Sequence, residues 1–214
     1  MQAWGKGMAA AGPGRERFLR IAVKRALAGD EPQPWWMPRR VVSVVSADVD
    51  DVAGVGAIWI RWRPKASRTR ECVALLEWFG ERWRYAGGSS GGGCEDDFAD
   101  ADADADADVL EVRNGGGALS LTRTLDPPRS ITAAPWISCV TLRLGRDVRR
   151  VLLGVRRIEV PERHRRLIAV WATPPGRRGV RPVIVALGRD DVELARLGPQ
   201  DGLDTHTWAR LREE

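Results

Sequence analysis

The chain is poor in the residues that most often mark chemistry. It has two histidines, His164 and His206, and three cysteines, Cys72, Cys94 and Cys139. No CxxC pair is present, and three thiols cannot all be joined in disulfides. That usage excludes a disulfide-stapled scaffold and a zinc ribbon, and the expected compartment is a reducing cytoplasm. Asp204 and His206 stand two apart, but no third ligand has metal-site spacing. Long apolar runs are also missing. VAGVGAIWI at 52–60 meets Arg61, well short of the roughly 20 residues that span a bilayer. Arg15, Arg17 and Arg20 interrupt the N-terminal region, against a secretory signal.

Catalytic signatures are lacking as well. GGSSGGG at 87–93 superficially resembles a phosphate loop but has no Gly-Lys-Ser/Thr, and no clear helix start follows it. None of Ser89, Ser90, Ser120, Ser130 and Ser138 lies in a Gly-x-Ser-x-Gly elbow. The acids at Asp100, Asp102, Asp104, Asp106 and Asp108 lack the mid-loop glycine of an ordered calcium loop. The sequence assigns no catalytic residue, cofactor or metal.

Charge and indoles are abundant. The net charge is +5, yet eight acids fall between Glu95 and Asp108, so the remainder carries +13, nearly all from arginine. The tract EDDFADADADADAD at 95–108 cannot bury enough apolar surface to fold alone. With the glycine run it predicts a disordered linker over 87–108. A solubilising spacer is the preferred reading, and competition with polyanions at the basic surface is the other. The expected organisation is a flexible segment at 1–14, a helix and first strands at 15–86, the linker, and a β-rich part at 109–214 that packs with 41–86 as one domain.

Residues 15–28 repeat apolar groups at helical spacing, with Leu19, Val23, Ala26 and Leu27 on one face. Gly29, Asp30 and Pro32 end the helix. In PQPWWMPRR at 32–40, prolines bracket Trp35, Trp36 and Met37. A plug of indoles into an apolar recess is the preferred reading. The alternative is an exposed partner-binding knob formed by Trp35, Trp36, Arg39 and Arg40.

Val41–Val45 is the first strand candidate, followed by an acidic turn around Asp48, Asp50 and Asp51. Residues 55–63 alternate with period two and place Ile58, Ile60 and Trp62 on one face. Residues 71–86 fit either a helix or a hairpin, and Gly80 with the aromatic content favours the hairpin. Asn114 and the glycines to Gly117 predict a hairpin loop. Short strand-like runs then recur at 136–144, 148–155, 156–160, 166–172, 181–187 and 191–197.

This cadence predicts a mainly β fold: an antiparallel β-sandwich or partly open barrel, with an N-terminal helix and a short C-terminal helix capped by Asp204 or Thr205. The arginine-rich stretch 146–166 supplies a candidate anion-binding set, Arg149, Arg150, Arg156 and Arg157. Adjacent strand residues face opposite ways, so only part of that set can share a patch. The functional expectation is a non-enzymatic, cytoplasmic interaction module whose partner is another protein. A nonspecific nucleic-acid binder using arginine and tryptophan is the first alternative, and an enzyme with an unrecognised site is the second.

Overall fold

A computed structural model describes residues 13–63, 70–92, 109–127, 129–161, 164–177 and 180–199. The expected C-terminal helix, the acidic tract and most of the expected flexible N-terminal segment lie outside the described residues. One α-helix, α1 (Pro13–Leu27), precedes the strands β1 (Val42–Asp50), β2 (Val55–Trp62), β3 (Arg70–Trp78), β4 (Trp83–Gly92), β5 (Leu110–Leu119), β6 (Trp136–Leu144), β7 (Arg150–Leu153), β8 (Arg156–Glu159), β9 (Arg166–Thr173), β10 (Ile184–Leu187) and β11 (Glu193–Leu197). Every strand pair is antiparallel. The pairs build three sheets, ordered β1-β2-β3-β4, β5-β6-β9 and β11-β10-β7-β8. The mainly β, sandwich-like architecture read from the sequence is the one observed.

The layers follow from which faces are apolar. Phe18, Leu19, Ala22 and Val23 of α1 bury against Val42, Val44, Ile58, Ile60, Ala74 and Leu76. The opposite face of that sheet, with Val45, Ala57, Trp59, Val73 and Leu75, packs on Ile137, Cys139, Ile168 and Val170 of the second. The second sheet turns Val140, Leu142, Leu144, Leu167 and Ala169 to the third, where Val151, Leu153, Ile184 and Ala186 meet them. Two sheets are thus covered on both faces, and their central strands read as nearly continuous apolar runs rather than clean alternations. The helical stripe sits one position earlier than the spacing suggests, so Leu27 stays exposed. Pro13 suits the first turn, where a missing N–H is harmless. Gly29, at φ +75°, closes the other end, its N–H donating to Ala26 O at 3.0 Å.

Residues 71–86 form the hairpin. Gly80 and Glu81 occupy left-handed backbone at its tip, and Phe79 N donates to Arg82 O at 2.9 Å. Two expectations fail for one reason, the close approach of backbones. Gly87 to Gly92 continue β4 instead of starting a linker, each paired with β3. A side chain at Gly87 would stand 2.6 Å from Ala118 Cβ, so glycine is what lets β4 lie against β5. Asn114 to Gly117 likewise run inside β5, paired with Thr141 to Ser138 after a bulge at Val112/Asn114. The true reversal is the longer connection 120–135. There the buried Glu77 carboxylate accepts from Ser120 Oγ at 2.6 Å and Leu121 N at 2.5 Å. Asp48, finally, is no turn residue but lies within β1.

Crowding at Gly117 is severe, because an added Cβ would meet the Trp136 indole and stand 2.7 Å from the backbone oxygen Ile137 O. At Gly115 the nearest atom is Cys139 O at 3.8 Å. Gly117→Ala is expected to lower unfolding free energy by about 1–3 kcal/mol, while Gly115→Ala stays within about 0.5 kcal/mol of the native chain. Urea denaturation of the two variants side by side checks the contrast.

Candidate functional site

A cleft of about 880 Å³ lies between the end of α1 with β1 on one side and the β7–β8 hairpin on the other. Its lining includes Glu31, Gln33, Arg39, Ser46, Asp48, Arg156, Arg157, Glu159 and His164. The cleft arises because β8 belongs to the third sheet and β1 to the first, with β9 of the middle sheet between them.

At its base sits a buried ion pair. Asp48 is 6% exposed. Arg156 Nη1 donates to Asp48 Oδ1 at 2.6 Å and to Val49 O at 3.0 Å, and its Nη2 donates to Asp48 Oδ2 at 2.8 Å and to Val170 O at 2.6 Å. Val170 N also donates to Asp48 Oδ2, at 2.8 Å, and Ile168 N donates to Ser46 Oγ at 3.1 Å. The edge of β9 is therefore satisfied by side chains from β1 and β8 rather than by a further strand. Burial opposes charge on the Arg156 guanidinium, yet Asp48, with Asp50 and Asp51 beyond it, holds its pKa above the ordinary value. Asp51 and Arg156 also border a second cleft of about 600 Å³ on the far side of this clasp. Val52, Val155 and Val180, at the tips of three different loops, are exposed on its rim.

His164 lines the main cleft with a buried Nδ1 that meets no hydrogen-bond partner. Burial lowers its pKa from 6.5, and the nearby guanidiniums of Arg166, Arg61 and Arg39 push the same way, against an opposing backbone interaction at Arg166. Cys72 and Cys139 are free and buried. Burial raises both thiols, Cys139 to about 12, so neither presents a reactive thiolate at neutral pH. Among the described residues no group of three His, Cys, Asp or Glu side chains is placed to hold a metal ion, and no helix is long and apolar enough to cross a membrane.

The loop leading into β1 corrects the core-plug expectation. Trp35 is 91% exposed and Trp36 is 40% exposed. Trp36 keeps one edge on Phe18, with ring centroids 6.4 Å apart and planes at 89°, while Met37 supplies the apolar anchor against the α1 core. Gln33 ties this segment to Met37 and to β1. This buried side chain donates to Met37 O at 2.8 Å and Val42 O at 3.3 Å and accepts from Val44 N at 2.8 Å. One backbone group at Met37 and two on β1 are thereby held by a single side chain. Arg39 pairs with Glu31, and Arg40 is exposed.

The anion-binding set Arg149, Arg150, Arg156 and Arg157 does not form one patch. Arg156 points inward to Asp48, whereas Arg157, its neighbour on the strand, pairs with Asp191 at 3.1 Å on the opposite side. Arg150 is held by Glu159 at 2.9 Å and Asp191 at 2.5 Å. Of these four, only Arg149 forms no ion pair among the described residues. The fold brings Arg39, Arg156 and Arg157 to one cleft instead, together with Asp48 and Gln33, which sequence reasoning had given a turn and no role. An acid in VSVVSADVD, two residues after the buried Ser46, was the signal for Asp48.

No known protein family, curated protein or solved structure matches the chain.

Asp48→Ala strands the Arg156 charge and the Val170 N–H of β9. It is expected to cost about 3–5 kcal/mol of unfolding free energy, and the double variant Asp48→Ala/Arg156→Met should recover most of that loss, as read by chemical denaturation. His164 gives a pH dependence of definite sign. Its folded pKa lies below the unfolded value, so the unfolded chain takes up the proton first. Stability is intact above pH 6.5 and falls as pH drops through the folded value. His164→Gln should flatten the part of the Tm decline between pH 7 and pH 5 that this group contributes.

Proposed function

We propose that the protein is a recognition module that binds another protein through the Trp35 loop, and that it works by binding rather than by catalysis. The observation that carries this reading is an indole left 91% exposed between two anchored residues, Gln33 and Met37. An exposed tryptophan on a mobile loop would lose much of its contact energy to ordering. Here Gln33, Met37 and the prolines at 34 and 38 have already met that cost. Tryptophan and arginine are the residue types that dominate binding hot spots. Trp35, half-exposed Trp36 and the exposed Arg40 are neighbours in sequence, and Arg39 turns into the adjoining cleft. The polar groups converging at the base of that cleft support binding over chemistry. Asp48, Ser46 and Arg156 spend their hydrogen bonds on each other and on the β9 backbone.

The test separates presentation from folding. Trp35→Ala removes an exposed side chain and should change unfolding free energy by less than about 0.5 kcal/mol. Proteins retained by the native chain from an extract of its own host should be lost with Trp35→Ala and weakened with Gln33→Ala, which keeps the indole but frees its loop. Retention of the same proteins by Trp35→Ala would end this reading.

A further inference from the structure

A second arginine cluster stands apart from the Trp35 loop. Where the β10–β11 turn meets the start of β7, a cavity of about 390 Å³ is lined by Arg149, Arg150, Arg165 and Arg189, with Glu159 and Asp190 as its acids. The four guanidiniums are not equivalent. Arg150 is neutralised by Glu159 and Asp191. Arg165 is oriented but not neutralised: it donates to Val148 O at 2.9 Å and also to Arg146 O, and carbonyl oxygens carry no countercharge. Arg149 and Arg189 are exposed and form no ion pair among the described residues. Arg149 lies close enough to be felt at Arg165, whose pKa is lowered by burial and then by the Arg149 charge, with Asp147 opposing.

The cavity therefore holds one fixed guanidinium, Arg165, beside the like charge of Arg149, and a third, uncommitted one at Arg189, a set of charges that a polyvalent anion would offset. Guanidinium forks match the oxygens of phosphate and form short charge-assisted bonds with them. No aromatic side chain lines the cavity, so no platform for a stacked base is present there. The volume is that of a compact ligand. The β10–β11 turn builds the site: Asp190 and Asp191 both take left-handed backbone, and Val192 N returns to Arg189 O at 3.3 Å. That turn places Arg189 on the cavity while Asp191 reaches back to Arg150 and Arg157.

We propose that this cavity binds a small phosphate-type oxyanion, with Arg165 as the oriented donor and Arg149 and Arg189 completing the grip. The probe is inorganic pyrophosphate, titrated by calorimetry and by thermal shift into the full chain, with sodium chloride and sodium sulfate at matched ionic strength. Pyrophosphate should bind at one site and raise Tm more than either salt. Arg149→Ala/Arg189→Ala, which alters only exposed side chains, should weaken binding at least about tenfold, the loss of one charge-assisted pair or more. Arg40→Ala and Trp35→Ala should bind pyrophosphate as the native chain does, so the outcome is independent of the Trp35 reading. Equal shifts with sulfate, or undiminished binding by the double variant, would overturn the proposal. So would a short single-stranded oligonucleotide that outcompetes pyrophosphate through the same two arginines, since it would make the site a nucleic-acid contact.

Discussion

A β-strand edge buried inside a protein must find partners for its backbone, and the edge of β9 finds them in side chains. Ser46 and Asp48 accept from Ile168 N and Val170 N, and Arg156 donates to Val170 O. Three layers meet at this point: β1 from the first sheet, β9 from the second and β8 from the third. A charged clasp stands between two clefts, both of which Asp51 and Arg156 border. Such a pair adds little stability compared with an apolar replacement, but losing one partner is costly, so it specifies the junction more than it strengthens it.

The same economy of polar groups recurs at the edges of the molecule. Gln33 uses both ends of one amide to hold the chain between α1 and β1. Glu77 does so for the connection after β5. Asp191 sits in left-handed backbone, a conformation unfavourable for a residue with a side chain, and two arginines hold it there. Each device fixes a loop against a rigid layer. What those loops then expose, an indole in one case and unpaired guanidiniums in another, is presented rather than left to wander.

Much of the architecture was legible in the chain. The period-two run around Ile58 and Ile60, the Gly80 break between two aromatic strands, and turns at short intervals all carry local information, and strands and tight turns are decided locally. Glycine was misread twice because its meaning is not local. In GGSSGGG and NGGG the missing side chains answer the proximity of another strand or an indole, and nothing within a few residues of either run announces that neighbour. The same holds for WWM. Composition alone could not say that Met37, not Trp35, would enter the core.

The sequence by itself determined the fold class, the helix and its end at Gly29, and the surplus of arginine outside the acidic tract. Those properties depend on side-chain period, on backbone freedom at single residues and on summed charge. Only the tertiary structure decided which arginines are committed and which are not. Arg156 and Arg157 are adjacent in the chain, yet one is locked to Asp48 and the other faces Asp191. Arg165 and Arg189, far apart in sequence, border one cavity. The Asp48–Arg156 pair depends on a distance of a few ångströms between strands 108 residues apart in sequence, and that distance exists only once the layers have packed.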